Sequence, residues 1–480
     1  MKLIRLTKPT ATALLLAAFP LFSPAAEEAP ASKAKIDLAP IGLLSTRSAR
    51  QITSSPWSIG GETVDRDYTS YEAYKGYLGT LGAKTIRLQA GWAKTERRPG
   101  VYSWDWLDSI VNDALAQGIA PWLELSYGNP IYPGGGDTGL GGGFPASPMA
   151  LSAWDRWVAA VVDRYRDRVS EWEIWNEPDG GGGPPEKYAE LYVRTARTIL
   201  SLQPHARIWA LALAGHIDYA DSFFSALKTG RQLALVQRIT LHGYPRNPDD
   251  VEGLAQLRKV LAKYGLSVEI RMGETGAPSR FQAQFALRDI AWTENLQAKW
   301  DLRRMLAFRA ENVSCSLFTI ADMRYTDLPH TRQKGVWMNF KGLLATNPDL
   351  SVSRAKPAYA AAQRIFTLFD DQLEQIAPYP YSDFALRHLA LTGYRRRGNG
   401  AQLVAYWFND APPDESNQTT ALDLTLPAGR FSDPVLIDLR TGIIYAIPNG
   451  RWRQTDRGAQ FTGLPAYDSP IVLADHTALP

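Results

Sequence analysis

The stretch Glu171-Trp172-Glu173-Ile174-Trp175-Asn176-Glu177-Pro178 lies near the middle of the 480-residue chain. Its mixture of apolar and acidic residues is typical of a buried strand that Pro178 ends. Glu177 is then presented at the end of a rigid element, beside an amide and an indole. Acid–base chemistry on a sugar requires a carboxyl group held in this way. We expect residues 179–183, one Asp and four Gly, to form a loop open enough to admit a ligand.

The sequence around this stretch alternates short apolar runs with amphipathic segments, which is the βαβα pattern of a parallel sheet covered by helices. Eight units within residues 56–370 favour an α/β fold of the (β/α)8 TIM barrel type over an open doubly wound sheet. No Gly-x-Gly-x-x-Gly follows the first strand, so a dinucleotide-binding fold has little support. The predicted strands are Trp57–Gly60, Thr85–Gln89, Ala120–Ser126, Glu171–Asn176, Arg207–Ala212, Arg238–His242, Val268–Gly273 and Ser314–Ile320.

The character of the chain changes after the predicted barrel. Residues 371–480 contain short alternating runs separated by turn signals such as Asn399-Gly400, which predicts a small antiparallel β-sandwich. Residues 27–55 are aperiodic and are predicted to be a linker or a first sandwich strand. The Gly-rich residues 129–144 follow the third barrel strand and are a candidate rim or lid. The predicted sandwich strands are Leu403–Phe408, Leu422–Leu426, Val435–Leu439, Ile443–Ile447 and Ile471–Ala474.

Residues 1–26 have the pattern of a secretory signal peptide. Three basic residues precede an apolar run from Ala11 to Phe22, and the small pair Ala25-Ala26 offers a cleavage site. Removing this segment lowers the formal net charge from +3 to 0. A balanced charge gives no electrostatic reason to bind nucleic acid or an anionic membrane. We therefore expect an exported protein, periplasmic or extracellular, with no membrane insertion after signal removal.

The sequence offers little for metal, redox or thiol chemistry. Cys315, the single cysteine, lies in an apolar run and is predicted to be a core residue rather than a nucleophile. The six histidines are scattered, and no His/Cys/Asp cluster has ligand spacing. We therefore expect neither a metal nor an organic cofactor, and the oligomeric state stays open.

A second carboxyl group, Glu274, follows the seventh predicted strand in Gly273-Glu274-Thr275-Gly276. Catalytic side chains of a barrel lie at the carboxyl ends of its strands, so closure can bring Glu177 and Glu274 to one pocket. Glycoside hydrolysis needs such a pair, one protonated and one ionised. We assign Glu177 as the acid/base and Glu274 as the nucleophile. The alternative is that a Glu at a strand end is a solvated or ion-paired group.

Four polar residues near the same rim are candidate substrate-binding or supporting groups. Arg87 is expected either to hold the nucleophile ionised or to form a structural ion pair with Glu173. Asn176 is expected to donate a hydrogen bond to a sugar hydroxyl. In His242-Gly243-Tyr244, Tyr244 is placed to bond the nucleophile, and His242 either orients a carboxylate or hydroxyl or is a packed polar residue. The candidate stacking platforms for a sugar ring, each equally a candidate core residue, are Trp92, Tyr127, Trp175 and Trp337.

These motifs resemble clan A of the glycoside hydrolases. The run Trp172–Pro178, with His242-x-Tyr244 and Gly273–Gly276, carries the resemblance, and residues 56–370 most resemble family 39 and its bacterial exopolysaccharide-degrading relatives. The resemblance implies a retaining (β/α)8 enzyme with a covalent glycosyl–enzyme intermediate. It places the acid/base at Glu177 and the nucleophile at the Glu of the strand-seven motif.

The chain departs from the clan at two places. The strand-seven run differs from the more usual Thr-Glu-Phe or Ser-Glu-Trp, and Phe318–Asp322 stands where a tryptophan usually ends the eighth strand. We expect Trp337 to replace that tryptophan. The sequence thus predicts a retaining β-glycosidase for an oligo- or polysaccharide. A transglycosylase with the same intermediate and a non-catalytic glycan-binding barrel are the alternatives.

Overall fold

The computed structural model describes residues 34–328, 333–383, 385 and 387–480. The predicted signal peptide lies outside the described residues. Within the described ranges, no helix has the length and apolar character needed to cross a bilayer.

Eight parallel strands close into a barrel, in which each strand pairs with the next along the chain and the last pairs with the first. The predicted TIM barrel is confirmed, and each predicted strand overlaps an observed one. A short edge strand of another sheet, β1 (Pro40–Leu43), precedes the barrel. The barrel strands are β2 (Trp57–Gly60), β3 (Thr85–Gln89), β4 (Ala120–Leu125), β5 (Glu171–Ile174), β6 (Arg207–Leu213), β7 (Arg238–His242), β8 (Glu269–Thr275) and β9 (Ser314–Leu317).

Amphipathic helices cover the barrel. In α4 (Pro148–Tyr165), Trp154 and Trp157 belong to a buried stripe at helical spacing, and the Ser147 side chain accepts a hydrogen bond from the Ala150 N–H at the amino end. The other helices that the described ranges contain are α1 (Tyr71–Leu81), α2 (Trp92–Thr95), α3 (Asp105–Ala116), α5 (Pro185–Leu202), α6 (Ile217–Thr229), α7 (Glu252–Lys263), α8 (Glu294–Ala310) and α9 (Pro357–Leu368).

Two antiparallel ribbons follow the eighth barrel strand and were not predicted from the sequence. The first pairs β10 (Met323–Leu328) with β11 (Gln333–Asn339), and Tyr325 lies opposite Trp337. The second pairs β12 (Leu344–Thr346) with β13 (Val352–Ala355). Because the first ribbon starts at the carboxyl end of β9, it lies on the face where a barrel carries its chemistry.

The remaining strands form two sheets that share one apolar core, in which Tyr406 and Leu473 of one sheet and Leu424 and Phe461 of the other take part. The predicted antiparallel sandwich is confirmed. The strands are β14 (Leu373–Ile376), β15 (Ser382–Asp383), β16 (Leu389–Arg396), β17 (Gln402–Phe408), β18 (Thr420–Leu426), β19 (Pro434–Asp438), β20 (Ile443–Ala446), β21 (Trp452–Thr455), β22 (Gly458–Ala466) and β23 (Ile471–Asp475). The sheet orders are β1-β20-β19-β23-β17-β16-β14 and β15-β18-β22-β21.

Buried polar contacts join the sandwich to the barrel. Lys299 of α8 donates to Asp468 Oδ1 at 2.7 Å, with both side chains nearly inaccessible. Trp407 Nε1 donates to Asp249 Oδ1 at 2.7 Å, and Arg303 Nε donates to Asp249 Oδ2 at 2.8 Å. Asp249 lies shortly after β7, so the sandwich helps to fix the loop that leaves the barrel rim there.

Candidate active site

A cavity of about 280 Å³ opens at the carboxyl ends of the barrel strands. Four of the predicted site residues line it: Tyr127, Asn176, Glu177 and Glu274. The lining residues that sequence reasoning did not single out include Glu62, Arg66, Tyr68, Phe285, Phe318 and Tyr325. The cavity therefore combines carboxyl groups with aromatic walls, as carbohydrate sites do.

Glu177 reaches this cavity through an unusual backbone conformation. It follows β5 with φ 45° and ψ 58°, in the left-handed region, and its N–H donates to the Ala212 carbonyl at 3.1 Å. A non-glycine residue pays about 1–2 kcal/mol to adopt this conformation. Such strain is typical of functional positions, where the surrounding structure holds one side chain in place.

The two assigned carboxyl groups converge around His242. The Nδ1 atom of His242 is 2.9 Å from Glu177 Oε1 and 3.6 Å from Glu274 Oε2. One oxygen of each Glu and one nitrogen of this His lie within 4.8 Å of one another. Two carboxyl groups that are far apart in sequence thus share one small space.

The electrostatic surroundings of Glu177 favour its protonated form. Burial, and then the neighbouring Asp179, raise the pKa of Glu177 to about 7, and Arg87 partly opposes this. Burial also lowers the pKa of His242 to about 4, so the imidazole is neutral near pH 7. A neutral ring leaves the proton on Glu177 available for transfer.

Glu274 is held by two hydrogen-bond donors, one on each oxygen. Its Oε1 accepts a hydrogen bond from the Tyr244 hydroxyl at 2.5 Å, and its Oε2 accepts one from Arg87 Nη1 at 3.0 Å. Donors of this kind stabilise an ionised carboxylate. The pairing of β7 with β8 shifts after Leu241, so that His242 lies opposite Glu274. Irregular pairing next to an active site re-aims side chains, and here it turns Glu274 towards the cavity.

Arg87 is fully buried and forms the centre of the polar network. Arg87 makes the contacts that both sequence-based interpretations require, because Nε donates to Glu173 at 2.7 Å while Nη1 donates to Glu274 at 3.0 Å. Its hydrogen-bond partners are Glu62, Glu124, Glu173, Glu274 and Asn176. One guanidinium therefore organises most of the rim carboxyl groups.

Glu62 is a site residue that sequence reasoning missed. It follows β2, is only 1% exposed, and accepts from Arg87 Nη1 at 2.9 Å. Its Oε2 has no hydrogen-bond partner among the described residues. Burial, with a further contribution from Glu274, raises the pKa of Glu62 to about 8 although Arg87 opposes it. Its sequence signal, a Glu just past a strand end, is the same one that singled out Glu274.

Asn176 and Tyr127 form one side of the cavity. Asn176 Nδ2 donates to the Tyr127 hydroxyl at 2.8 Å, and Asn176 Oδ1 accepts from Arg87 at 2.7 Å. Trp175, between Asn176 and β5, is 1% exposed and packs on Tyr127 and Phe144. Trp175 is therefore a core residue rather than a stacking platform.

The prediction that Trp92 is a stacking platform is wrong. Trp92 is fully buried, its ring stacks on Tyr132, and its Nε1 donates to Glu96 at 2.6 Å, so no face of it is open to a sugar. Trp337 is half-buried and is not among the residues that line the cavity, so its predicted role stays a prediction. Tyr325, from the strand facing Trp337, lines the cavity instead.

An aromatic wall built from three separate segments of the chain lines the cavity. The Tyr325 ring centroid lies 4.8 Å from that of Tyr68 and 4.8 Å from that of Phe285. These residues come from segments after β2, β8 and β9, and no periodicity links them. The sequence therefore gave no signal for the wall.

The loop at residues 179–183 combines two exposed glycines, Gly180 and Gly181, with two that pack on a neighbouring ring. A Cβ at Gly182 would lie 2.7 Å from the Phe144 ring, and a Cβ at Gly183 would lie 2.9 Å from it. These glycines permit close packing of this loop on the Gly-rich residues 129–144. Gly139 and Leu140 of that second loop line the cavity.

The group of Glu177, His242 and Glu274 has ligating atoms close enough for a metal ion. The positive charge of Arg87, 3.0 Å from Glu274 Oε2, repels a cation at this position. Arg87 therefore makes the three residues a poor cation site and suits them to work as titratable groups.

No family model matches the chain. A β-xylosidase of Geobacillus stearothermophilus is 29% identical over 129 residues, which are 24% of this chain and 26% of that protein. The chain spans about a quarter to two fifths of the length of the curated relatives it matches.

Solved structures match nearly the whole chain. A family 39 glycoside hydrolase from Bacteroides cellulosilyticus WH2 has a TM-score of 0.62 at 18% identity, covering 88% of this chain and 80% of that one. A family 39 β-xylosidase from Caulobacter crescentus has a TM-score of 0.54 at 18% identity, covering 92% and 99%. The resemblance drawn from the sequence is confirmed for the architecture: the chain has the fold of family 39 glycoside hydrolases.

Proposed function

We propose that the protein is a retaining β-glycosidase that hydrolyses an oligo- or polysaccharide by double displacement. The observation that carries this proposal is the convergence of Glu177 and Glu274 in one cavity, with an oxygen of each within 4.8 Å of the other. Retaining enzymes hold their carboxyl groups about 5–5.5 Å apart, whereas inverting enzymes leave about 6.5–9.5 Å for a water. The short separation favours retention.

In the first step, Glu274 attacks the anomeric carbon while Glu177 gives its proton to the leaving oxygen. The glycosidic C–O bond breaks, an ester to Glu274 forms, and the alcohol departs. In the second step, water attacks the same carbon, Glu177 takes the proton of that water, and the ester bond breaks. Two inversions give net retention.

The neighbouring groups support these roles. The Tyr244 hydroxyl and Arg87 each donate to one oxygen of Glu274 and fix its position for attack. The neutral His242 ring, 2.9 Å from Glu177 Oε1, orients the acid. Asn176 faces the cavity beside Glu177, where its amide is placed to donate to a sugar hydroxyl.

Azide rescue tests both assignments on aryl β-glycosides of xylose, glucose, galactose and arabinose. We expect Glu274→Ala to lose about 10⁴-fold or more in kcat. Added azide should restore turnover and give a glycosyl azide of inverted configuration. Glu177→Ala should lose about 10²–10⁴-fold on poor leaving groups, and azide should give the retained glycosyl azide.

Glu186→Ala, an exposed change on α5, is the matched control and should leave turnover unchanged. Wild-type activity that survives in both carboxyl variants would refute the assignments. Products longer than the substrate at high acceptor concentration would favour transglycosylation. Sugar binding without turnover of any glycoside would favour a non-catalytic barrel.

A further inference from the structure

A second cavity, of about 320 Å³, lies beside the reaction cavity on the same face of the barrel. The two cavities share Arg66, Tyr68 and Tyr127 as a common wall. The remaining walls of the second cavity include Lys94 and Arg97, from the segment after β3. A glycan chain bound across the reaction cavity therefore has room for a neighbouring sugar here.

Arg66 presents hydrogen-bond donors at the boundary between the cavities. Its Nε donates to Asp65 at 3.2 Å and its Nη2 donates to Gln89 at 2.5 Å. Its Nη1 makes no hydrogen bond to any residue that the structure describes. The guanidinium lies 4.8 Å from the Tyr127 ring centroid, which holds its plane in place. One edge of a fixed guanidinium is thus free for a ligand.

The second cavity carries an excess of positive charge. Three cations line it, Arg66, Lys94 and Arg97, against two acids, Asp65 and Asp67, which leaves a formal charge of +1. Both acids are already paired, because Asp65 bonds Arg66 and Asp67 bonds Lys94 at 2.6 Å. The exposed guanidinium of Arg97 has no hydrogen-bond or ion-pair partner in the described part of the chain.

The reaction cavity has no such excess of positive charge, since Arg66 and Glu274 line it together with Glu62 and Glu177, whose pKa values burial raises. An anionic substituent on the reacting sugar would lie against the carboxylate of the proposed nucleophile, Glu274, and would be repelled by it. The same substituent one sugar further along would meet two arginines with free donors. Arginine is the side chain best matched in shape to carboxylate and sulfate oxygens.

We propose that the second cavity is a subsite for a sugar bearing a carboxylate or sulfate group, next to the sugar whose bond is cleaved, with Arg66 and Arg97 as its anion-binding residues. This proposal rests on the proposed function, which it deepens by naming an acidic glycan as the substrate class. The neutral reacting sugar and the anionic neighbour are thus recognised by adjacent cavities, of which the second carries the excess of positive charge.

The test measures binding rather than turnover, so that its failure is distinct from failure of the glycosidase proposal. Full-length Glu177→Gln protein is run by affinity electrophoresis against matched polysaccharides. One pair is glucuronoxylan and its carboxyl-reduced form, and the other is a sulfated galactan and its desulfated form. We expect at least about fivefold tighter binding to one anionic member at about 20 mM salt, and a smaller ratio at about 500 mM because salt screens exposed charges. Whichever pair shows the difference identifies the anion.

Variants that remove the charge of one arginine test whether Arg66 and Arg97 cause the preference for the anionic polysaccharide. Arg97→Gln and Arg66→Gln, each added to Glu177→Gln, should reduce the anionic-to-neutral binding ratio to about twofold or less, because each removes a guanidinium donor pair. Arg98→Gln, at the exposed neighbouring position outside the cavity, should leave the ratio unchanged. Equal binding within both pairs, or a ratio that survives both Arg66→Gln and Arg97→Gln, would overturn the proposal.

Discussion

At the scale of single residues, the charge balance around Arg87 decides how the site works. Four carboxyl groups bond this one buried guanidinium, and full ionisation would leave three uncompensated negative charges without solvent. Burial raises the pKa of Glu62 to about 8 and that of Glu124 to about 7. Below pH 7 both keep their protons, which reduces the negative charge gathered around Arg87.

The variant Glu62→Gln tests whether catalysis requires the protonated, neutral form of Glu62. The amide keeps the shape of a protonated carboxyl group and still accepts from Arg87. We expect kcat/KM of this variant to stay within about threefold of wild type below pH 6.5. We expect Glu62→Leu to lose about tenfold or more in kcat/KM, because Arg87 then loses one of its hydrogen-bond acceptors. The measurement is the pH profile of kcat/KM, with thermal unfolding as the check on folding. An inactive, fully folded Glu62→Gln protein at pH 6 would mean that the ionised carboxylate is required.

The sequence located the residues whose position follows from topology. Glu177, Glu274 and Tyr244 each follow a barrel strand, and the carboxyl ends of parallel strands must meet at one face. It could not place Trp92 or Trp337, because whether an aromatic ring faces the core or a cavity depends on which neighbours pack against it. Alternation along a strand indicates which face of the sheet a side chain is on, but it does not indicate which other residues pack against that side chain.

At the scale of elements, strands were predicted correctly where burial on both faces requires a run of apolar residues. Strands that are partly exposed lack such a run and were missed. The barrel strands are covered on both faces and therefore stand out in the sequence. The ribbon of β10 and β11 is short, partly exposed and rich in polar residues, so nothing marks it as strand. Its antiparallel pairing is nevertheless what carries Tyr325 into the cavity wall.

Variants of Tyr325 test whether this ribbon contributes to substrate binding. Tyr325→Leu removes the ring that contacts Tyr68 and Phe285, and we expect kcat/KM to fall about 3–10-fold, mainly through KM, because a stacking surface is lost. Tyr325→Phe keeps the ring and should stay near wild type. Val336→Ser, an exposed change on the facing strand, is the control for disturbance of the ribbon itself. Steady-state kinetics in which Tyr325→Leu matches Tyr325→Phe would show that the wall does not touch the substrate.

At the scale of the whole molecule, the active site costs stability as the pH rises. Glu62 and Glu177 have pKa values of about 8 and 7 in the folded chain, against 4.5 for an ordinary Glu. The folded protein therefore binds more protons than the unfolded chain between these limits. The stability tied to the two groups is fully present below about pH 4.5 and is lost as the pH rises through 7 and 8.

The double variant Glu62→Gln/Glu177→Gln should remove this dependence, since an amide carries no proton equilibrium. At pH 5 we expect its free energy of unfolding to lie close to that of wild type, and at pH 8.5 to exceed it by several kcal/mol, because the two pKa values of about 8 and 7 lie well above 4.5 and each unit corresponds to about 1.4 kcal/mol. Urea unfolding at both pH values measures the difference, and Glu186→Gln on exposed α5 serves as the control that should show none. Because both proteins share every other titrating group, their difference isolates these two carboxyl groups. A difference that shrinks between pH 5 and pH 8.5 would mean that both are ionised in the folded protein, and would remove the protonated acid on which the proposed first step depends.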